Sequence, residues 1–257
     1  RQILDSWELA LEKLSTASQR MAERQPLKNV TLLAPLGEPR NLYFAGANYH
    51  DHVAEMSRVL NMKLPDSSTQ GVEPWFLLKS TSTVVGPGAQ VKKPKGVEKL
   101  DWEVELAVII GKKGRDISEQ DALSYVAGYT VANDYAIRDY LENYYRPNLR
   151  VKNRDGGTVL GPWFVDAADV SDPHALALRT LVNGVVTQQG NTCDLISDIP
   201  ALIEYLSEFM TLNPGDVILT GTPDGVVNVN VGDEVVTEID GIGRLVNTIV
   251  SDATFGR

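Results

Sequence analysis

The chain has 257 residues, of which 43% are hydrophobic and 23% are charged, a composition typical of a globular protein with a sizeable core. Its 24 basic and 34 acidic residues give a formal net charge of −10, which argues against nucleic acid or an anionic membrane as a partner. The single cysteine, Cys193, excludes an intramolecular disulfide and favours a reducing compartment. No 18-residue apolar run or signal-peptide pattern is present, so we expect a soluble, cytoplasmic protein.

The N-terminal part of the chain is predicted to lie outside the main domain. Residues 2–24 place apolar side chains at helical spacing, which predicts an amphipathic helix. Residues 30–35 are mostly apolar and end in proline, which predicts a short strand. We therefore expect an N-terminal segment over 1–38 and one catalytic domain over 39–257.

Two histidines follow the next predicted strand, residues 42–46. His50 and His52 could bind a metal as an i,i+2 pair on a strand. Alternatively, a helical turn places His52 and Glu55 on one face at i,i+3, where the carboxylate orients the imidazole as a general base. A surface His beside a surface Glu is the non-functional interpretation of the same pattern. The polar stretch 57–74 is predicted to be a mobile loop over the site.

Paired carboxylates mark the strand predicted over residues 103–110. Glu103 and Glu105 project to the same side of that strand, because successive strand residues alternate faces. The following side chains are apolar and rich in β-branched types, which indicates a buried strand. Two like charges there are costly unless a cation lies between them.

A third carboxylate follows a predicted helix over 118–126 and a predicted strand over 129–132. Asp134 ends that strand, and it supplies a third oxygen ligand. Three carboxylates with no clustered Cys or His favour Mg²⁺ or Mn²⁺ over zinc. The alternative is a solvated acidic face without a metal.

A basic stretch follows in this acidic protein. Within 17 residues the chain carries four arginines and a lysine, interleaved with tyrosines: Arg138, Arg146, Arg150, Lys152 and Arg154. Because guanidinium groups pair with carboxylates in a bidentate manner, we predict a pocket for a substrate with more than one carboxylate. Arg138, Tyr144 and Arg146 are the predicted contacts. The alternatives are a solvated basic loop and a structural network with neighbouring acids.

The C-terminal third is predicted to be mostly β-structure. Residues 178–188 contain an Asn-Gly turn, which predicts a hairpin, and residues 199–210 predict an amphipathic helix with proline in its first turn. Residues 216–223 predict a strand that ends in a glycine turn. Many short strands with few helices give an α+β, β-dominated fold class.

Taken together, these motifs resemble the fumarylacetoacetate hydrolase family over roughly residues 41–250. The resemblance implies a mixed β-roll catalytic domain with a few short helices, and a homodimer. The family's metal ligands match Glu103, Glu105 and Asp134, and its catalytic His–Glu pair matches His52 and Glu55. Lys152 matches a lysine that faces the substrate, and Thr222 matches a substrate-contacting threonine.

The resemblance also implies the chemistry. Residues 133–152 are most similar to the isomerase/decarboxylase subgroup, although the family pattern has a His and an aromatic residue where this chain has residues 100–102. We expect a Mg²⁺- or Mn²⁺-dependent enzyme that decarboxylates or isomerises a 2-oxo di- or tricarboxylic acid of aromatic catabolism through an enolate. One alternative is a hydrolase of acylpyruvates or other diketo acids, and another is a non-catalytic metal-binding protein.

Overall fold

The structure is a computed structural model that describes residues 3–20, 24–60, 73–140 and 147–252. Its α-helices are α1 Trp7–Ser18, α2 His50–Leu60, α3 Glu119–Ala122, α4 Pro147–Lys152 and α5 Ile199–Phe209. No helix within these described ranges is long and apolar enough to cross a membrane.

Within the described ranges, fourteen strands form two main sheets and a two-stranded ladder. They are β1 Leu42–Gly46, β2 Trp75–Lys79, β3 Val84–Val85, β4 Gln90–Pro94, β5 Leu100–Asp101, β6 Val104–Ile110, β7 Val126–Asp134, β8 Ala136–Ile137, β9 Thr158–Asp166, β10 Ala177–Val182, β11 Val185–Asn191, β12 Val217–Leu219, β13 Glu234–Ile239 and β14 Gly243–Asp252. The seven-stranded sheet has the order β2-β1-β12-β6-β7-β9-β3, and the five-stranded sheet has the order β11-β10-β13-β14-β4.

The centre of the seven-stranded sheet is covered on both faces. Every residue of β6 and β7 is buried, which explains why their sequences are nearly continuous apolar runs. Leu106 belongs to the core cluster that also contains Leu206 of α5. Ala107, on the opposite face, belongs to a second cluster with Leu4 and partly buried Trp7 from the N-terminus. The N-terminal segment therefore packs on the sheet.

Several local predictions need correction. The N-terminal helix is shorter than 2–24 in the described chain, since α1 ends at Ser18. Residues 30–35 form no strand. The helix predicted over 118–126 is only α3 followed by a 3₁₀ turn, because Val126 pairs with Ile110 and starts β7.

The predicted loop over 57–74 is also only partly right. Its first four residues belong to α2, which continues to Leu60. Residues 61–72 lie outside the described residues.

Candidate metal centre and active site

Strand register brings the three predicted metal ligands together. Glu105 lies opposite Ala132 in the antiparallel β6–β7 pair, and the backbone N–H of Asp134 donates to the carbonyl of Glu103 at 2.9 Å. Because side chains two residues apart share a face, all three carboxylates point to one side of the sheet. Their ligand oxygens lie within 4.8 Å of one another, and all three residues are buried.

Two buried lysines contact Asp134, one at each carboxylate oxygen. Lys152 Nζ donates to Asp134 Oδ2 at 2.8 Å and also contacts Glu103. Lys79 Nζ contacts Asp134 Oδ1 and donates to the carbonyl of Gly157 at 3.2 Å. Burial opposes the charge of Lys152, but Asp134 and Glu103 outweigh it and raise its pKa. Lys152 thus lies beside the carboxylates as a charged ammonium.

Arg138 lies at this centre with its guanidinium paired to protein carboxylates. Its Nε donates to Asp101 Oδ2 at 2.7 Å, and its Nη2 donates to Glu103. Burial opposes ionisation of Glu103, but Lys152 and Arg138 outweigh it and hold its pKa well below the usual range. Burial raises the pKa of Asp101 to about 6, against the attraction of Arg138. In this arrangement Arg138 orients Glu103.

Glu105 differs from the other two ligands because no lysine or arginine among the described residues forms an ion pair with it. Its carboxylate accepts a hydrogen bond from the backbone N–H of Gly221. Burial, and then repulsion from Asp134 and Glu103, raise its pKa well above the usual range. A buried carboxylate in this position requires a proton or a cation. The donor set, three carboxylates with no Cys or His, fits a hard divalent ion.

His52 and Glu55 form the second part of the site. Both lie on α2, and His52 Nδ1 is 3.5 Å from Glu55 Oε2. The adjacent His52 imidazole holds the pKa of Glu55 below its usual range, with a smaller contribution from the backbone N–H of Gly225. His50 is exposed at the start of the same helix. The interpretation of His50 and His52 as a strand pair is therefore wrong, because i,i+2 residues of a helix do not share a face.

The loop over residues 220–225 connects the two parts of the site. The N–H of Gly221 donates to Glu105, and the backbone N–H of Gly225 helps to lower the pKa of Glu55. Thr222 lies between them and is buried. Gly221 has a φ of 96° and its hypothetical Cβ would lie 3.0 Å from Asn48 Cβ, so the turn requires glycine.

Asn48 ties this loop to the start of α2. Its Nδ2 donates to the carbonyls of Thr220 at 2.8 Å and Ser197 at 3.0 Å. Its Oδ1 accepts from the N–H of Ser197 at 2.8 Å. One buried amide thereby holds three chain segments around the site.

We expect Asn48→Ala to lower the free energy of unfolding by about 1–3 kcal/mol, because it leaves the buried carbonyl of Thr220 and the partly buried backbone groups of Ser197 unpaired. Urea denaturation measures the change. Val185→Ala, at a site 65% exposed on the hairpin, is the control and is expected to stay within about 0.5 kcal/mol of the parent. An Asn48→Ala protein as stable as this control would contradict the interpretation.

The remaining described arginines, Arg150 and Arg154, line a separate cavity together with Tyr140 and Asp252. The Arg150 guanidinium is 4.0 Å from the ring centre of Tyr140, and Arg154 Nη2 is 3.1 Å from Asp252 Oδ2. Tyr144 and Arg146 lie outside the described residues, so their predicted substrate contacts stay predictions. In the described part of the chain, the basic stretch therefore does not form one cluster.

Sequence reasoning did not identify two charged residues of the centre. Lys79 ends an apolar strand and is 3% exposed. The signal in the sequence was a lysine directly after apolar strand residues, which indicates a buried charge that needs a carboxylate partner. Asp101, two residues before Glu103, stood out only as a departure from the family pattern.

A buried carboxylate triad beside a lysine and a His–Glu pair defines a candidate metal-dependent active site on a β-dominated α+β fold. The chain belongs to the family described as fumarylacetoacetate (FAA) hydrolase C-terminal, whose model matches residues 41–250. The predicted family and fold class are thereby confirmed.

Individual relatives differ in activity. The 4-hydroxyphenylacetate degradation bifunctional isomerase/decarboxylase of Salmonella dublin is 53% identical over 232 residues, covering 90% of this chain and 52% of that protein. The chain thus spans about half the length of such bifunctional relatives. The mitochondrial oxaloacetate tautomerase fahd2 of Xenopus laevis is 39% identical over 258 residues, covering 97% of this chain and 78% of that protein.

A solved structure with a related fold contains a metal. Maleylpyruvate hydrolase from Sphingobium sp. SYK-6, in complex with manganese(II) and pyruvate, superimposes with a TM-score of 0.82 at 32% identity. The match covers 97% of this chain and 84% of the hydrolase.

Proposed function

We propose that this chain is a metal-dependent enzyme that decarboxylates or isomerises a 2-oxo di- or tricarboxylic acid of aromatic catabolism. The observation that carries the proposal is the arrangement of Glu103, Glu105 and Asp134 beside Lys152, within one fold that also holds His52 near Glu55. The 53% identity to an isomerase/decarboxylase supports the reaction class.

Glu103, Glu105 and Asp134 would hold the divalent ion, proposed to be Mg²⁺ or Mn²⁺. When bound, the ion would supply Lewis-acid polarisation of the substrate's 2-oxo group. The manganese in the hydrolase structure supports a divalent ion at a site of this fold. Arg138, itself paired with Asp101, orients Glu103, and with Lys152 it favours the ionised form of that carboxylate.

Lys152 and His52 would supply the protein's own catalytic groups, a positive charge and a proton-transfer group. The Lys152 ammonium lies where it can pair with negative charge developing on the substrate oxygen. Glu55 orients His52 through Nδ1, which leaves Nε2 to hold or deliver a proton. In a decarboxylation or isomerisation, that proton would move to or from carbon. Thr222 would contact the substrate beside the metal ligands.

Hydrolysis is the second candidate function, and the likeness to maleylpyruvate hydrolase favours it specifically. In this reaction His52 Nε2 would take a proton from the attacking water. A non-catalytic metal-binding protein is the candidate from another class. The intact His52–Glu55 pair argues against it, because metal binding alone does not require that pair. We also propose a homodimer, on the family resemblance.

A substrate panel tests the proposal. Unsaturated 2-oxo di- and tricarboxylates, acylpyruvates and oxaloacetate are incubated with Mg²⁺, Mn²⁺ or a chelator. Released CO₂, shifted double bonds and cleaved acids are measured separately. We expect CO₂ or an isomer from the di- or tricarboxylates, and no turnover with chelator.

Each other result selects another function. Pyruvate released from acylpyruvates, without CO₂ or isomer from any compound, would replace the proposal with the hydrolase. A protein that binds Mn²⁺ but turns over nothing in the panel would favour the non-catalytic candidate. His52→Ala is the control for trace activity from contaminating enzymes.

A further inference from the structure

Gln188 connects the five-stranded sheet to the 220–225 loop. It lies on β11, on the hairpin predicted by the Asn-Gly turn, and is 2% exposed. Its Nε2 donates to Thr222 Oγ1 at 2.9 Å and to the carbonyl of Pro223 at 2.8 Å. A residue 34 positions away in sequence thus holds the threonine of the site.

The direction of these hydrogen bonds follows from chemistry. A carbonyl oxygen has no hydrogen to donate, so the Gln188 atom that faces Pro223 must be the amide nitrogen. The second amide hydrogen then goes to Thr222 Oγ1, which accepts it. Gln188 Oε1 accepts from Thr180 Oγ1 at 3.2 Å, which uses the remaining side of the amide.

The hydroxyl hydrogen of Thr222 is left for a ligand. A threonine hydroxyl has one hydrogen and two lone pairs, and Gln188 occupies a lone pair. Thr222 is buried, with 4% of its surface exposed, and no described residue accepts its hydroxyl hydrogen. A buried hydroxyl is expected to use its hydrogen.

Close backbone packing fixes the loop against β11. A Cβ on Gly190 would lie 2.7 Å from Pro223 Cγ, and a Cβ on Gly225 would lie 2.8 Å from the Thr187 carbonyl oxygen. Glycine at both positions lets the loop approach the strand. At the other side of the loop, the N–H of Gly221 contacts Glu105, which places Thr222 one residue from a metal-ligand contact.

We propose that Gln188 is a positioning residue that makes Thr222 a dedicated hydrogen-bond donor to the substrate. The group that Thr222 meets is therefore an acceptor oxygen, such as a carboxylate, and a substrate hydroxyl that must donate is disfavoured there. This inference rests on the proposed function, because it assumes a 2-oxo acid beside the metal ligands.

Gln188→Glu tests the direction of the hydrogen bond at nearly constant shape. Whether the introduced carboxyl group is ionised or donates its proton to the Pro223 carbonyl, one of its oxygens faces Thr222 as an acceptor. That oxygen captures the Thr222 hydrogen and turns a lone pair toward the ligand. Gln188→Met removes the amide without adding an acceptor, so the hydroxyl can still rotate to donate.

The readout is the affinity for oxalate, an unreactive dicarboxylate, measured by calorimetry in saturating Mn²⁺. We expect Gln188→Glu to weaken oxalate binding by about 10- to 100-fold, the worth of a hydrogen bond to a charged group. Gln188→Met should cause a smaller loss, and Mn²⁺ affinity should stay at the parental value in both. If Gln188 had a purely structural role, Gln188→Met would lose more oxalate affinity than Gln188→Glu, because the methionine removes more hydrogen bonds than the glutamate.

Variants of Thr222 complete the test. Thr222→Val should weaken oxalate binding like Gln188→Glu, and adding Gln188→Glu to it should cause no further loss. Thr222→Ser keeps the hydroxyl and should retain parental affinity. Parental oxalate affinity in Gln188→Glu, or equal losses with and without the Thr222 hydroxyl, overturns the inference, as does a parent that binds no oxalate. A parent that binds oxalate but turns over no panel compound contradicts only the proposed reaction.

Discussion

Glu105→Gln is expected to abolish measurable binding of Mn²⁺ and Mg²⁺ and, with it, turnover. Loss of groups that merely orient metal ligands costs about 10–100-fold in affinity, so loss of a direct carboxylate ligand should exceed that range. Glu103→Gln and Asp134→Asn should act in the same direction. Isothermal titration calorimetry of the metal alone measures the effect without any assumption about the substrate.

The stability of the metal-free protein separates this explanation from misfolding. Burial and its two acidic neighbours disfavour the ionised form of Glu105, and a glutamine still offers an oxygen to the N–H of Gly221. Metal-free Glu105→Gln should therefore unfold at the same temperature as the metal-free parent or higher. Parental metal affinity in all three variants would place the metal elsewhere.

His52→Ala is expected to lower kcat by about 10²–10⁴-fold, the usual contribution of a general acid or base. The imidazole is not among the three carboxylates that would hold the metal, so Mn²⁺ affinity should not change. Steady-state kinetics on the best panel substrate, together with calorimetry, test both statements. Glu55→Gln should reduce kcat less, because it removes the orienting charge and leaves the imidazole.

Matched substitutions show whether the effect belongs to this histidine. His50→Ala changes an exposed residue on the same helix and should retain parental kcat. A near-parental rate for His52→Ala would remove His52 from the mechanism. A parallel loss of Mn²⁺ affinity would instead show that His52 supports the metal centre rather than acting only as a general acid or base.

The sequence predicted the parts of the site that depend on local pattern. Alternation of faces placed Glu103 and Glu105 together, and helical spacing paired His52 with Glu55. The strand predicted over 30–35 was wrong because an apolar run forms a strand only where it finds a partner. The helix over 118–126 was overextended because pairing of Val126 with β6 overrides weak helical propensity.

Contacts between distant segments could not be predicted from the sequence. Lys79 reaches Asp134 across 55 positions, and Gln188 reaches Thr222 across 34. Neither pair carries a spacing signal, because three strands separate β2 from β7 in the seven-stranded sheet and β11 belongs to the other sheet. The pairing of Arg138 with Asp101 and Glu103 likewise could not be predicted, since a guanidinium binds a substrate carboxylate and a protein carboxylate equally well.

The pairing of β6 with β7 also makes the centre a reporter of correct folding. A slip of one residue along either strand would invert its side chains, sending acids into the apolar layer under α5 and separating Glu103 from Asp134. Misregistered chains would thus lose the ion-binding set altogether rather than bind weakly. Stoichiometry of bound Mn²⁺ per chain would then count natively registered molecules in a refolded or engineered preparation, independently of catalysis.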